Sequence, residues 1–130
     1  MRYTLIMEKS KQRILSFKYA FSGILTALKE EPNLKFHFFA GLLVIVSSII
    51  LRISKEDWFV IIFLIGFVIS LELTNTAIEA VVNTFTDKEH PGAKLAKDIA
   101  AGAVLVAAIT STILGIVIFL PYINQLLLSF

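Results

Sequence analysis

The sequence of 130 residues contains no cysteine, which excludes a disulfide scaffold and thiol chemistry without assigning a compartment. It is also poor in charge, since 17% of the residues are charged and only ten are Asp or Glu. The net charge of +2 is too small to indicate a nucleic-acid partner. Hydrophobic residues make up 57% of the chain, and so much apolar surface in need of burial excludes disorder.

The apolar content is too high for a soluble domain of this length. Mean hydropathy is +0.83, and a small soluble domain has too much surface for its volume to hide such an excess in one core. A small integral membrane protein is therefore predicted. No cleavable signal is expected, because the first long apolar run starts near Phe36, beyond a basic amphipathic segment.

Two of the three apolar stretches have clear ends. Ile99–Leu120 contains 22 residues without a charge, and its helix would span about 33 Å, enough for a bilayer core of about 30 Å. Pro121 is expected to end this helix. Phe36–Leu51 has sixteen uncharged residues, and the flanking Lys35 and Arg52 can extend their charges to the two interfaces.

The middle stretch carries two acids. It opens at Trp58, an aromatic residue suited to an interface, and runs uncharged to Leu71. Glu72 then interrupts it, and apolar residues continue to Val82 with Glu79 among them. The fourteen residues before Glu72 are too few to span a bilayer, whereas twenty-five are ample, so a single helix is predicted. The predicted transmembrane helices cover about residues 34–52, 56–84 and 96–120.

A further helix is predicted ahead of the three spans, over residues 8–29. Its apolar residues recur at helical spacing, and basic residues supply the polar side. Such a helix is expected to lie on the cytoplasmic leaflet, and the alternative is an ordinary helix packed on other protein. Pro32 is expected to begin the next helix, where its missing N–H costs nothing. The apolar positions are Ile14, Phe17, Phe21, Ile24, Leu25 and Leu28, and the basic ones are Lys9, Lys11, Arg13, Lys18 and Lys29.

Lysine and arginine are distributed unevenly between the two sides of the predicted membrane. Seven precede the first span and three, including Lys88, lie in the second loop, against two in the first loop and none in the tail. The excess of positive charge places the N-terminus and the second loop in the cytoplasm. Glu72 and Glu79 then lie in the cytoplasmic half of their helix.

Three polar residues of the middle helix share one face. Glu72, Asn75 and Glu79 are spaced i, i+3 and i+7, which aligns them on a helix. A charge inside the membrane costs about 2.5 kcal/mol or more, so two on one stripe indicate a function or a shared polar partner. The alternative is that both carboxylates lie in the headgroup zone, paired with lysines.

The second loop leads into another polar face, formed by Lys94, Lys97 and Asp98. Lysines at this position can hold phosphate, or they can simply mark the cytoplasmic boundary, and spacing alone favours the boundary. His90 is interpreted as a loop residue, and the junction Glu30–His37 as a charged interface. The sequence has no P-loop, GxGxxG or HExxH motif, so any nucleotide site must be of another kind.

Several of these segments together resemble one protein family. Glu72-Leu73-Thr74-Asn75-Thr76-Ala77-Ile78-Glu79 resembles the E-x-x-N-[ST]-A-I-E signature of the prokaryotic diacylglycerol kinases, a family that includes the undecaprenol kinases of Gram-positive bacteria. His90-Pro91 with Ala93–Val104 looks like its second conserved block, and Glu31–His37 fits its E-x-N-[FL]-x-[FI]-H element. The resemblance covers about residues 14–121. Matches to the family's surface helix are Ser16-Phe17, Ala20 and Gly23-Ile24.

The resemblance implies a single membrane kinase domain over residues 1–130, in the plasma membrane of a bacterium. Members of the family are homotrimeric bundles of three-span protomers, each with an N-terminal surface helix and with active sites at the cytoplasmic interface, shared between protomers. They transfer the γ-phosphate of ATP to a lipid hydroxyl and use Mg²⁺.

The resemblance also implies roles for the polar residues. By position, Glu72 would be the general base on the lipid hydroxyl, and Asn75 would support the reacting groups by hydrogen bonding. Glu31 and Glu79 would hold Mg²⁺ and orient ATP. Glutamate oxygens are suitable ligands, because Mg²⁺ binds oxygen and bridges phosphate groups.

Three further residues complete the nucleotide site that the resemblance implies. Lys97 would contact phosphate, Asp98 would fix Lys97 or close the site, and Tyr19 would contribute from the surface helix. Asn83 departs from the family, which often has Asp there, so a metal or lysine contact at this position comes into question. Thr74 is also more polar than the usual residue.

The sequence predicts an ATP- and Mg²⁺-dependent kinase that phosphorylates undecaprenol, with diacylglycerol as the alternative substrate. A small transporter or proton channel, with Glu72 and Glu79 as relay groups, is the alternative from another class. A third alternative, a non-catalytic scaffold, predicts that Glu72→Gln has no effect on function.

Overall fold

The computed structural model describes residues 2–85 and 90–129, with side chains described for residue 12 and from residue 15 onward. Within these residues the chain is entirely helical, which confirms the predicted all-α class. The helices are α1 (Arg2–Glu30), α2 (Pro32–Leu51), α3 (Lys55–Phe85) and α4 (Pro91–Leu127).

The helices α2, α3 and α4 are each long and apolar enough to cross a membrane. They extend beyond the predicted spans, most of all in α4, which begins at Pro91 and ends at Leu127 rather than near 96 and 120. The expectation that Pro121 ends this helix is wrong, because Pro121 lies inside α4. Membrane helices tolerate proline, since neighbouring helices and small backbone adjustments compensate for the missing N–H donor.

The helix α1 meets α2 at a sharp junction. Glu31 has extended backbone angles, φ −95° and ψ 113°, and Pro32 occupies the first turn of α2 as predicted. The apolar face of α1 is open, with Phe17 and Phe21 exposed to 78% and 64%, whereas Ala27 is buried. Four predicted members of the surface helix, Lys9, Lys11, Arg13 and Ile14, lie outside the described side chains. Placement of α1 on the membrane surface stays a prediction.

The turn between α2 and α3 is fixed by backbone geometry. Arg52 adopts a left-handed conformation, φ 51° and ψ 49°, and its N–H donates to the Ile49 carbonyl at 3.2 Å. The N–H of Ile53 also reaches the Ser48 carbonyl, at 3.3 Å. This double closure of the last turn is how many helices end when a left-handed residue follows them. We call this end of the bundle the far end.

A polar clamp of Ser54, Asp57 and Tyr122 joins the turn to α4 at the far end. Ser54 Oγ donates to Asp57 Oδ2 at 2.8 Å and accepts from the Asp57 N–H at 3.1 Å, which caps the start of α3. Tyr122 OH donates to Asp57 Oδ2 at 2.5 Å and accepts from the Ser54 N–H at 2.9 Å. Because Tyr122 follows Pro121, the clamp holds the extension of α4 against α3.

The helix α3 is the central element, since it packs on α4 most extensively and also contacts α2 and α1. The buried apolar side chains of α3 are Ile61, Leu64 and Val68, and those of α4 are Ala100, Val104 and Ala107. Most large apolar side chains of the three spans are exposed. Exposure of this kind suits contact with lipid or with other membrane helices.

The contact between α2 and α3 depends on a glycine. A Cβ at Gly41 would lie 3.1 Å from Cγ2 of Ile65, which is tighter than ordinary contact. Small residues allow membrane helices to approach closely in this way. Gly41 therefore sets the spacing between α2 and α3, and with it the distance between the polar groups that the two helices carry.

We expect Tyr122→Phe to destabilise the protein by about 1–3 kcal/mol, because it removes the hydroxyl that satisfies Asp57 and the Ser54 N–H. Thermal unfolding in detergent micelles measures the change. The matched control is Tyr19→Phe, which deletes a hydroxyl from a side chain that is 69% exposed. Equal melting temperatures for Tyr122→Phe and the wild type would show that the clamp does not contribute.

Candidate active site

A polar stripe on α3 lies at the opposite end of the bundle from the clamp, at the site end. Glu72 is 3% exposed and Asn75 is 7% exposed, while Glu79 is half-buried. Asn75 Nδ2 donates to Glu79 Oε1 at 3.0 Å. The hydrogen bond shows that the i, i+4 pair lies on one face of the helix, as the spacing indicated.

The carboxylate of Glu72 is the centre of a cluster drawn from three parts of the chain. His37 on α2, Glu79 on α3 and Glu31 at the α1–α2 junction are all within electrostatic range of it. The structure thus brings Glu31 from a distant part of the sequence to the helix that carries Glu72 and Glu79. His37 received no role from the sequence, although it ends the Glu31–His37 element that fits the family pattern.

One polar atom at the centre of the site has no partner. Asn75 Oδ1 is buried and accepts no hydrogen bond from the described residues. Buried polar atoms are nearly always paired, and one left open is a place where a ligand, a water or an ion can bind. The amide nitrogen of Asn75 therefore holds Glu79, and its oxygen remains available to accept a hydrogen bond from a ligand.

A second polar group lies on the first turns of α4. Lys94 Nζ forms a salt bridge of 2.5 Å with Asp98 Oδ2, and the two side chains are 78% and 58% exposed. The expectation that Asp98 fixes Lys97 or closes the site stays a prediction, and the bond that Asp98 makes in the structure is to Lys94. The helix explains this pairing, because residues four apart are neighbours on its surface and adjacent residues are not.

Lys97 instead reaches across to α3. Its Nζ donates to Asn83 Oδ1 at 3.3 Å. The amide in place of the usual Asp therefore keeps a lysine contact, although it supplies no charge. Lys97 is half-buried, whereas Lys94 is exposed, so Lys97 is the lysine that lies against the helix carrying the acids.

The start of α4 is capped by its own loop. His90 Nδ1 accepts from the Gly92 N–H at 3.2 Å, and Pro91 occupies the first turn. His90 is thus engaged with backbone, as a loop residue. The preceding residues 86–89, including the loop lysine Lys88, lie outside the described part of the chain.

Tyr19 is the predicted site residue that lies on α1. It is 69% exposed on α1, and it has no hydrogen bond among residues 2–85 and 90–129. Its role in nucleotide binding stays a prediction from the family resemblance.

The acids could hold a divalent cation together with a phosphate ligand. The described residues contain no group of three or more His, Cys, Asp or Glu side chains arranged to hold a metal by themselves. Mg²⁺ is usually held by one or two carboxylates plus substrate phosphates rather than by an all-protein cage. Glu79, oriented by Asn75, and the nearby Glu31 fit that donor set.

An apolar cavity of about 650 Å³ runs through the membrane region between α2, α3 and α4. We call it the membrane cavity. His37 and Phe36 line it at the site end, and Leu51 and Ile123 line it toward the far end. His37 is also within electrostatic range of Glu72, so it links the site end of the membrane cavity to the acids, which do not themselves line the cavity. The arrangement can take a long apolar molecule with a polar head.

Comparisons with known proteins identify the family. Residues 18–119 match the family model described as prokaryotic diacylglycerol kinase. An undecaprenol kinase of Bacillus subtilis is 48% identical over 106 residues, which is 82% of this chain and 86% of the relative. A diacylglycerol kinase of Synechocystis is 40% identical over 83% of this chain and 62% of the relative. One of Haemophilus influenzae is 30% identical over 72% of this chain and 80% of the relative.

Proposed function

The chain belongs to the prokaryotic diacylglycerol kinase family, and we propose that it transfers the γ-phosphate of ATP to the hydroxyl of undecaprenol. The observation that carries the proposal is the 48% identity to an undecaprenol kinase over most of both chains. The buried Glu72 beside two further glutamates supports the same reaction. The transporter and scaffold alternatives gain no support from the family match, since the matched relatives are kinases.

In the proposed reaction, Glu72 is the general base. The lipid hydroxyl oxygen attacks the γ-phosphorus, the bond to the oxygen that bridges the β- and γ-phosphates breaks, and ADP leaves. The hydroxyl proton passes to the Glu72 carboxylate, and the lipid becomes a phosphate monoester. Burial suits this role, because a base in a water-poor site can be tuned toward the operating pH.

Glu31 and Glu79 would hold Mg²⁺ against the phosphates. When bound, Mg²⁺ would supply positive charge to neutralise the phosphates during transfer. The protein supplies orientation, since the 3.0 Å hydrogen bond from Asn75 fixes the Glu79 carboxylate. Partners of this kind, one step removed from the metal, commonly set its affinity.

Lys97, Asp98 and Tyr19 would bind ATP. Lys97 contacts Asn83 through one N–H, and an ammonium group has three donors, so it can also reach a phosphate. Asp98 would act through its salt bridge with Lys94. Its negative charge near the nucleotide would therefore be partly neutralised by a lysine. Tyr19 would contribute from α1.

The site end is proposed to face the cytoplasm of a bacterial plasma membrane. Ten lysines and arginines belong to the N-terminal segment and the second loop, against two in the first loop. Cytoplasmic ATP then reaches the acids directly. The homotrimer implied by the family resemblance belongs to the same proposal, and the exposed apolar faces of α3 and α4 leave room for such contacts.

The membrane cavity is proposed to take the isoprenoid chain. Its walls are apolar, and its site end adjoins Glu72 through His37. An alcohol that lies in the cavity with its chain toward the far end would present its hydroxyl to the acids. Diacylglycerol is the second candidate, since three of the matched relatives carry the name diacylglycerol kinase.

Phosphorylation of the two lipids tests the proposed function. The purified protein in lipid nanodiscs would receive γ-labelled ATP, Mg²⁺ and either undecaprenol or diacylglycerol. We expect labelled phosphate on undecaprenol at a kcat/KM at least about tenfold higher than on diacylglycerol, equivalent to about 1.4 kcal/mol of transition-state discrimination. Much faster phosphorylation of diacylglycerol would overturn the undecaprenol assignment and leave the kinase class intact.

Asn75→Ala is expected to lower the affinity for Mg²⁺, because Glu79 loses the hydrogen-bond donor that orients it. The Mg²⁺ concentration for half-maximal activity should rise by about 10–100-fold. The matched control is Thr74→Val, which removes a hydroxyl that bonds only to the Ser70 carbonyl of its own helix, at 2.9 Å. A Mg²⁺ requirement unchanged by Asn75→Ala would contradict the proposed role of the Asn75–Glu79 pair.

A further inference from the structure

His37 occupies a position that the proposed mechanism has not used. It lies in the second turn of α2, where it lines the site end of the membrane cavity, and it is within electrostatic range of Glu72 across the contact between α2 and α3. Its ring packs edge-on to Phe36, with centroids 5.6 Å apart, which limits its orientation. A titratable side chain thus separates an apolar cavity from a buried carboxylate.

No hydrogen bond in the described part of the chain joins His37 to Glu72, although the two lie close enough to interact. Glu72 likewise accepts no hydrogen bond from another described residue. His37 lines the site end of the cavity and Glu72 is buried nearby, and both keep hydrogen-bonding capacity for a third polar group. The head of a lipid alcohol has the required chemistry.

A hydroxyl group that attacks a phosphate makes up to three interactions, one through its hydrogen and two through its oxygen lone pairs. Its hydrogen points to the base, one lone pair points to phosphorus, and the second lone pair can accept a hydrogen bond. Glu72 takes the proton, so the remaining lone pair needs a donor on another side. Imidazole has an N–H donor in the neutral form and in the protonated form.

We propose that His37 donates a hydrogen bond to the hydroxyl oxygen of the lipid substrate and so sets that hydroxyl between Glu72 and the γ-phosphate. This inference rests on the proposed kinase function and adds a residue that contacts the substrate. The atoms balance as before: the oxygen–phosphorus bond forms, the bond to the leaving ADP breaks, and the proton goes to Glu72. His37 keeps its own proton throughout.

Other polar side chains near the cavity are less well placed for this role. Ser47 lies ten residues further along α2, which is about 15 Å deeper in the membrane. Ser111 Oγ is buried and has no partner among the described residues, but it lines the cavity from α4 rather than beside Glu72. Asn75 directs its amide N–H to Glu79. His37 is the donor at the junction of cavity and acid.

Substitution of His37 tests the inference in the full-length protein in nanodiscs. His37→Leu removes the donor and keeps an apolar side chain, and His37→Asn keeps an N–H donor. We expect kcat/KM for undecaprenol to fall about 100-fold in His37→Leu, a loss typical of a misplaced reacting group, and to stay within about tenfold of wild type in His37→Asn. The affinity for a non-hydrolysable ATP analogue should change less than about twofold in both.

The matched control is Phe39→Leu, an apolar change on the same helix at a side chain that is 60% exposed and outside the cavity lining. Wild-type kcat/KM in His37→Leu would overturn the inference. Equal losses in His37→Leu and His37→Asn, or a parallel loss of nucleotide affinity, would overturn it as well. A wild-type protein that phosphorylates neither lipid would refute the proposed function itself, which separates that failure from a failure of His37.

Discussion

The buried carboxylate of Glu72 is the constraint on which the rest of the structure depends. A charge in the middle of an apolar helix costs about 2.5–3.5 kcal/mol even on lenient scales. Glu72 is nevertheless 3% exposed and lies on the helix that packs on both other spans. The fold therefore has to offset this cost. Polar groups from α2 and from the junction before it surround Glu72, and such surroundings suit a reaction with a polar ligand.

The two ends of the bundle solve different problems. At the far end, Ser54, Asp57 and Tyr122 satisfy one another's hydrogen bonds, so these polar groups are fully used within the protein. At the site end, Asn75 keeps one buried oxygen unpaired, and Glu72 has no bonded donor among the residues described. The far end therefore fixes the helices, and the site end holds polar groups that can bind a ligand. This division suits an enzyme whose chemistry takes place at one membrane face.

Much of the fold could be predicted from the sequence, because hydropathy and helical spacing are local properties. The three spans, the helix start at Pro32 and the common face of Asn75 and Glu79 follow from them. The prediction that Pro121 ends α4 was wrong. The free-energy cost of a proline inside a helix is offset by the membrane setting and by the Tyr122 clamp, which is a contact between distant residues. For the same reason the sequence did not reveal that Lys97 reaches Asn83 or that His37 lies near Glu72. The salt bridge between Lys94 and Asp98 is local, since the two residues are four apart, and helical spacing could have predicted it.

The central claim is that Glu72 takes the proton from the lipid alcohol. Single-turnover transfer of labelled phosphate, measured with Glu72→Gln protein carrying both undecaprenol and Mg²⁺-ATP, tests it most directly. General-base catalysis predicts a rate reduced by about 100- to 10,000-fold, with nucleotide affinity and melting temperature close to those of the wild type. A wild-type single-turnover rate in Glu72→Gln would contradict the assignment of the base.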